Sequence, residues 1–155
     1  MKMPTDKTEI EEKLETAIHK LFAQDAFLLE HGANERAVSH KLAEYLQELF
    51  SEYNVDCEYN RHGFKIKTLD EISECRNKKT ELVLPDILVH KRGNDSDNLI
   101  VIEINTSNKD NSCDLRKLEL FTSQEGTYKY TIGFFIKFDK LNTPEIKTFE
   151  NGREQ

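Results

Sequence analysis

The chain has 155 residues, of which 37% are hydrophobic and 33% charged, the size and polarity of a single globular domain. A net charge of −7, no apolar run long enough to span a bilayer and no N-terminal apolar segment resembling a signal peptide exclude a broadly basic nucleic-acid coat and a membrane protein as first readings. Cys57, Cys75 and Cys113 are odd in number and widely spaced, which argues against a disulfide framework and for the reducing cytoplasm of a bacterial-type cell.

Thr8 to about Gln24 carries a helical stripe of Ile10, Leu14, Ala17, Ile18, Leu21 and Phe22, and Thr8 with Glu11 makes a capping box. Phe27-Leu28-Leu29 is a short apolar patch that ends at the helix stop His31-Gly32. Asn34 is a good N-cap for a second helix, which has a stripe of Ala37, Val38, Leu42, Tyr45, Leu46, Leu49 and Phe50 and ends around Tyr53-Asn54. Val55 to Arg61 predicts a strand. Residues 62–81 read as irregular, with one turn of helix around Leu69–Ile72. Two strands follow, within Leu84–Lys91 and Leu99–Asn105. Asp110 to about Phe121 is a third helix, Tyr128 to Phe138 a strongly apolar strand, and Ile146 to Phe149 a last short edge strand. The first half-dozen and last five residues look loose.

The acidic excess is confined to the first part. Residues 1–58 hold 6 lysines and arginines against 13 acids, and residues 59–155 hold 16 against 16. Basic clusters at Arg76–Lys79, Lys91-Arg92 and Arg116-Lys117 offer either a phosphate-binding face or ordinary solvated loops.

The stretch LPDILVHKRGNDSDNLIVIEIN, from Leu84 to Asn105, poses the chemical question. A hairpin symmetric about Asn94-Asp95 sets Asp86 opposite Glu103, Leu88 opposite Val101 and Leu84 opposite Asn105. Its other face, with Val83, Ile87, Val89, Ile100, Ile102 and Ile104, is uniformly apolar and should pack on a helix. Opposed side chains in a sheet have Cβ atoms roughly 4.5–5.5 Å apart, and like charges there repel. A divalent cation such as Mg²⁺, a shared proton or a nearby lysine would compensate; a different register or a solvated strand end would remove the problem.

Pro85-Asp86 followed by Glu103-Ile104-Asn105 on the next strand, behind the helix Asn34-Glu35-Arg36-Ala37-Val38-Ser39-His40-Lys41-Leu42 and the strand Val55–Arg61, resembles the PD-(D/E)XK nuclease superfamily. The likeness covers about residues 25–138 and is nearest to small bacterial proteins with strands like PDIIVHKRG and LLVIEIK. It implies an α/β fold with a restriction-endonuclease-like α-β-β-β-α-β core, a mixed sheet flanked by helices, and an extra N-terminal helix. It also implies a hydrolase that cleaves DNA with Mg²⁺ or Mn²⁺ held by Glu35, Asp86 and Glu103. Asn105 stands where the superfamily has a catalytic lysine. An amide can orient a water but carries no charge. Lys117, on the following helix and three residues from Asp114, is the candidate replacement; the alternative is a surface lysine at a helix edge. Glu35 has its own alternative as a first-turn acid favoured by the helix dipole.

Cys57, His62 and Cys75 lack zinc-site spacing, and Cys57 reads as a core strand residue. His40 reads as a helix-surface histidine, and His90 shares the Asp86 face. Two functions therefore stand: a metal-dependent DNA nuclease with an altered site, or a catalytically silent module of that fold that binds nucleic acid or protein. A homodimer is open to either.

Overall fold

The computed structural model describes residues 6–32, 34–59, 61–62, 65–66, 85–94, 96–107 and 110–155. Helix α1 runs Lys7–Gln24 and buries Ile10, Leu14, Ala17, Ile18 and Leu21. Its N-cap is Asp6, whose carboxylate accepts from Glu9 N, so Thr8 lies inside the helix and the expected capping box is not the start signal. The chain breaks at Asp25 and forms a short helix α2, Ala26–Glu30, before Gly32 turns it at a φ of 66°. Helix α3, Glu35–Leu49, begins as expected at Asn34, whose side chain accepts from Ala37 N. It ends earlier than the stripe suggested because Gln47 binds the turn. Its Nε2 donates to the carbonyls of Phe50 and Tyr53, and its Oε1 accepts from Val55 N.

Strand β1 is Asn54–Cys57, cut short of the expected Arg61 at Glu58, whose φ is 50°. Arg61–His62 (β2) and Lys65–Ile66 (β3) pair separately, so this part of the expected irregular stretch is a small ladder. Leu69–Ile72, Cys75, Arg76–Lys79, Val83 and Leu84 lie outside the described residues. Strands β4 (Ile87–His90), β5 (Ile100–Asn105), β6 (Ile132–Lys137), β7 (Glu145–Glu150) and β8 (Arg153–Glu154) complete a six-stranded mixed sheet of order β1-β4-β5-β6-β7-β8. Among the described strands only the β5–β6 pair is parallel, and helix α4, Ser112–Thr122, makes the crossover between them. The last residues are not loose. Asn151 and Gly152, both at positive φ, turn the chain into β8, and Gln155 N donates to Thr148 O.

The β4–β5 register is Ile87–Ile102, Leu88–Val101 and Val89–Ile100, as the symmetric hairpin requires. The turn itself differs: Lys91 bridges Asn94 around Gly93 at a φ of 73°, and the Asn94 side chain accepts from Ser96. The apolar face packs against α1 and α3, in one core with Leu14, Leu21, Leu42 and Leu46. The acid-bearing face meets α4 in a second core of Leu88, Val101, Leu118, Phe121, Tyr130 and Phe149. The result is an open α/β sheet with helices on both faces. Among the described residues no helix is long and apolar enough to cross a membrane.

Candidate active site

The paired residues of β4 begin at Ile87, so the Ile104 N–H of β5 lies beyond the ladder. The residue before Ile87 closes the gap: Asp86 Oδ2 accepts from Ile104 N at 2.7 Å. That bond fixes the Asp86 carboxylate beside β5, where continuation of the observed register sets it opposite Glu103. The Asp86 carbonyl accepts from Glu58 N and ties the site to the end of β1.

Glu103 is 1% exposed, in mid-strand and in register with Phe135 of β6. An acid in such a position needs a partner, and α4 supplies it. Lys117 Nζ stands 3.0 Å from Glu103 Oε1 and 3.7 Å from Asp114 Oδ1, one turn back on the same helix. The Lys117 side chain is only 14% exposed. This lysine is therefore not the surface residue of the alternative reading. The contact with Glu103 Oε1 is a buried ion pair.

The electrostatics follow from three carboxylates around one ammonium. Burial would lower the Lys117 pKa, but Glu103, then Asp114 and Asp86, raise it above the ordinary lysine value, so Lys117 is a cation. Burial pushes Glu103 well above the usual carboxylate range. Lys117 opposes this, and the charges of Asp86 and Asp114 and a hydrogen bond with Asp86 add to it. Asp114 is raised by burial as well, with Lys117 acting against it. The cluster thus holds more negative charge than Lys117 neutralises, and Glu103 is where a proton or a second cation is most strongly favoured.

Glu35 lines a neighbouring pocket of about 310 Å³ together with Asp86, Ser39, Cys57 and Glu58, so α3 does bring its first-turn acid to the Asp86 side of the site. Glu103 is not part of that lining. Among the described residues, no three histidines, cysteines or acids converge closely enough to form a metal-binding group. The Cys57 thiol at this pocket is pushed up to about 11, by desolvation first and by Asp86 second. Cys57 is exposed at the strand end rather than in the core, and it is free. Cys113 is disulfide-bonded, against the expectation from the cysteine count.

Asn105 is 2% exposed, and its Oδ1 accepts from Ser107 N at 2.8 Å. Its carbonyl side is thereby occupied in shaping the turn after β5, which leaves less of the amide for orienting a water than expected. Of the basic clusters, Lys91 lies over the Tyr53 ring, Arg92 binds Asp56, and Arg116 pairs with Glu119. These described cations serve local contacts rather than a phosphate-binding face. His40 is on the surface, paired with Glu44. His90 is buried and bonded to Asp56 at 2.8 Å.

Sequence reasoning named Asp114 only as a helical neighbour of Lys117, although its spacing was the available signal. It gave no sign of Ser107 or Lys137 as neighbours of Asn105. Lys137 lies in register with Asn105 across the parallel β5–β6 pair, a pairing that no local pattern encodes. The chain matches no protein-family model, no curated protein and no solved structure.

Proposed function

We propose that this protein is a restriction-endonuclease-like, metal-dependent phosphodiesterase acting on DNA, with its centre at Asp86, Glu103 and Lys117. The observation that carries the reading is the Lys117 ammonium beside Glu103. The chain has asparagine where the resembled superfamily has lysine, and a lysine from α4 reaches the same pair of acids. With the separate β2–β3 pair set aside, the order α3-β1-β4-β5-α4-β6 supports this reading, since the resembled superfamily has an α-β-β-β-α-β core.

The donor set fits a hard cation. Asp86 and Glu103 present carboxylate oxygens, and with Asp114 they outnumber the one ammonium of Lys117. Asp86 and Glu103 would hold Mg²⁺ or Mn²⁺, with Glu35 reaching in from the adjoining pocket. Such an ion, when bound, would polarise a phosphoryl oxygen and acidify a water. Lys117 keeps a positive charge next to the position where the phosphate accumulates negative charge. Asp114 holds Lys117 from behind, and Asn105 sets the course of the turn beyond the site.

Calorimetric titration of Mg²⁺ and Mn²⁺ into the wild type and Asp86→Ala tests the metal. Binding is expected in the first and loss in the second. Cleavage of single- and double-stranded DNA with Mn²⁺ should then fall at least about 100-fold in Asp86→Ala and in Lys117→Ala. No metal uptake at millimolar concentration and no cleavage would leave the second reading, a silent module of the same fold. The occupation of Asn105 in a turn is the observation that favours that alternative.

A further inference from the structure

Strand β7 is buried on one face and open on the other. Phe149 points toward α4 and is 1% exposed. Ile146 and Thr148 alternate to the opposite face, where their register with Ile136 and Phe134 sets them on the side that α1 and α3 cover. That cover stops short of β7. Ile146 is 43% exposed, and Leu141, in the turn before the strand, is 47% exposed. Between α1 and β7 runs a groove of about 550 Å³, with Leu14, Ile18 and Phe22 on one wall and Leu141, Pro144 and Ile146 on the other. Among the described residues three large apolar side chains are exposed. Two of them line this groove, and the third, Phe27, lies against the His31 ring elsewhere. Single exposed apolar residues are ordinary, whereas two facing one apolar groove mark an interaction surface.

The charge of the groove has one sign. Glu11 and Glu15 line it from α1, with His19 one turn further, and no lysine or arginine is among its lining residues. Lys147 alternates to the α4 side of β7. Lys7 stands at one end, 3.9 Å from Glu11 and 3.1 Å from Glu150, so two acids share it. Glu15 is exposed and makes no ion pair among the described residues. Leu14, Ile18 and Phe22 are spaced by four and form a ridge on α1. From Glu11 to Phe22 the helix advances about 16 Å, or three turns. A helix laid against that ridge would continue the α3–α1 layer over β7. A second copy of the chain fits poorly. A two-fold axis here would bring the acids of both α1 helices together, and the described helices of eight residues or more already bury their apolar faces.

We infer that this groove docks an amphipathic helix of a partner protein, with its apolar face on Leu141, Ile146 and the α1 ridge and lysines or arginines on its flank against Glu11 and Glu15. Helix-in-groove recognition of this kind takes its affinity from the apolar anchors and its choice of partner from charge. The groove lies on the face of the sheet opposite Glu103, so a docked helix leaves the acid cluster open. The inference does not depend on the nuclease reading.

The test is fluorescence anisotropy of a labelled leucine–lysine peptide of about 15 residues, patterned as an amphipathic helix of about four turns. Saturable one-to-one binding is expected. Leu141→Ser/Ile146→Ser should weaken it at least about tenfold, and Glu11→Gln/Glu15→Gln about threefold to tenfold. Both pairs are on the surface, so thermal melting should hold. Phe27→Ser and Glu30→Gln, outside the groove, should bind as the wild type does and so separate docking from general attraction of a cationic peptide to an acidic chain. Equal binding by wild type and Leu141→Ser/Ile146→Ser, an equal loss in Phe27→Ser or Glu30→Gln, or no binding of the peptide overturns the inference. So does a dimer in analytical ultracentrifugation that Leu141→Ser/Ile146→Ser dissociates, since the groove would then belong to a second copy.

Discussion

The side chain on which the site turns is Glu103, an acid in a position that packing alone would give to a valine. Its burial is tolerable because Lys117 faces it, the ammonium standing 3.0 Å from Glu103 Oε1 and 3.7 Å from Asp114 Oδ1. Removing one partner of a buried pair strands the other charge, which typically costs about 3–5 kcal/mol, whereas replacing both with apolar groups is close to neutral. Lys117→Met should therefore lower the unfolding free energy in urea by about that amount. The double variant Glu103→Met/Lys117→Met should recover most of the loss. Recovery would show that the pair is kept for its charges, since the fold is no worse without them.

Between elements, the distance that matters is the one from α4 to the sheet, because α4 carries Lys117 and Asp114 to β5. Gly133 on β6 sets it. A Cβ built there would lie 3.0 Å from Thr122 Cγ2, 3.2 Å from Leu118 Cδ2 and 3.3 Å from Val101 Cγ1. The missing side chain lets α4 seat closely while Thr122 Oγ1 donates back to Leu118 O. Gly133→Val should overpack this contact and cost about 1–3 kcal/mol. A thermal melt reads that loss, and the proposed DNA cleavage should fall further than stability does, as α4 is pushed away from Glu103. A variant with lowered melting temperature but full activity would show that α4 does not set the site.

At the scale of the whole molecule, the sheet must keep β1 on its edge, since the end of β1 borders the Asp86 pocket. Asp56 of β1 fastens that edge: it is bonded to His90 of β4 and to Arg92 just beyond it. Burial pushes the Asp56 carboxyl up, but the hydrogen bonds and charges of His90 and Arg92 outweigh it and hold the pKa at about 2, below the ordinary 3.8. Because the folded value is the lower one, the stabilisation is complete above the unfolded pKa and is lost as pH falls through about 2. It amounts to about 2 kcal/mol, an order-of-magnitude figure from the linkage relation. Asp56→Asn should accordingly be less stable than the wild type by a constant margin from pH 5 to 7, and the margin should shrink between pH 4 and 2. Chemical melts of both proteins over that range measure it, and a margin independent of pH would place the loss in packing instead of charge.

Local patterns were enough for much of this protein. The stripes of α1 and α3, the Asn34 cap and the β4–β5 register each depend on residues within a few turns or one hairpin of each other, so periodicity and turn length specify them. The sequence also picked out Asp86 and Glu103 as an opposed pair and proposed Lys117 as the cation to meet them, because acids in half-buried strands are costly enough to stand out. The rest depended on contacts between distant segments. The end of α3 was set by Gln47 reaching forward to Val55, and the end of β1 by Glu58 entering a left-handed conformation. The exposure of Cys57, the internal use of Arg92 and Arg116 and the turn role of Asn105 each depend on neighbours that no spacing predicts. The placement of Lys137 beside Asn105 is the clearest instance. It arises from a parallel pairing across a crossover helix, whose register is fixed by how α4 packs on the sheet and not by any pattern along the chain.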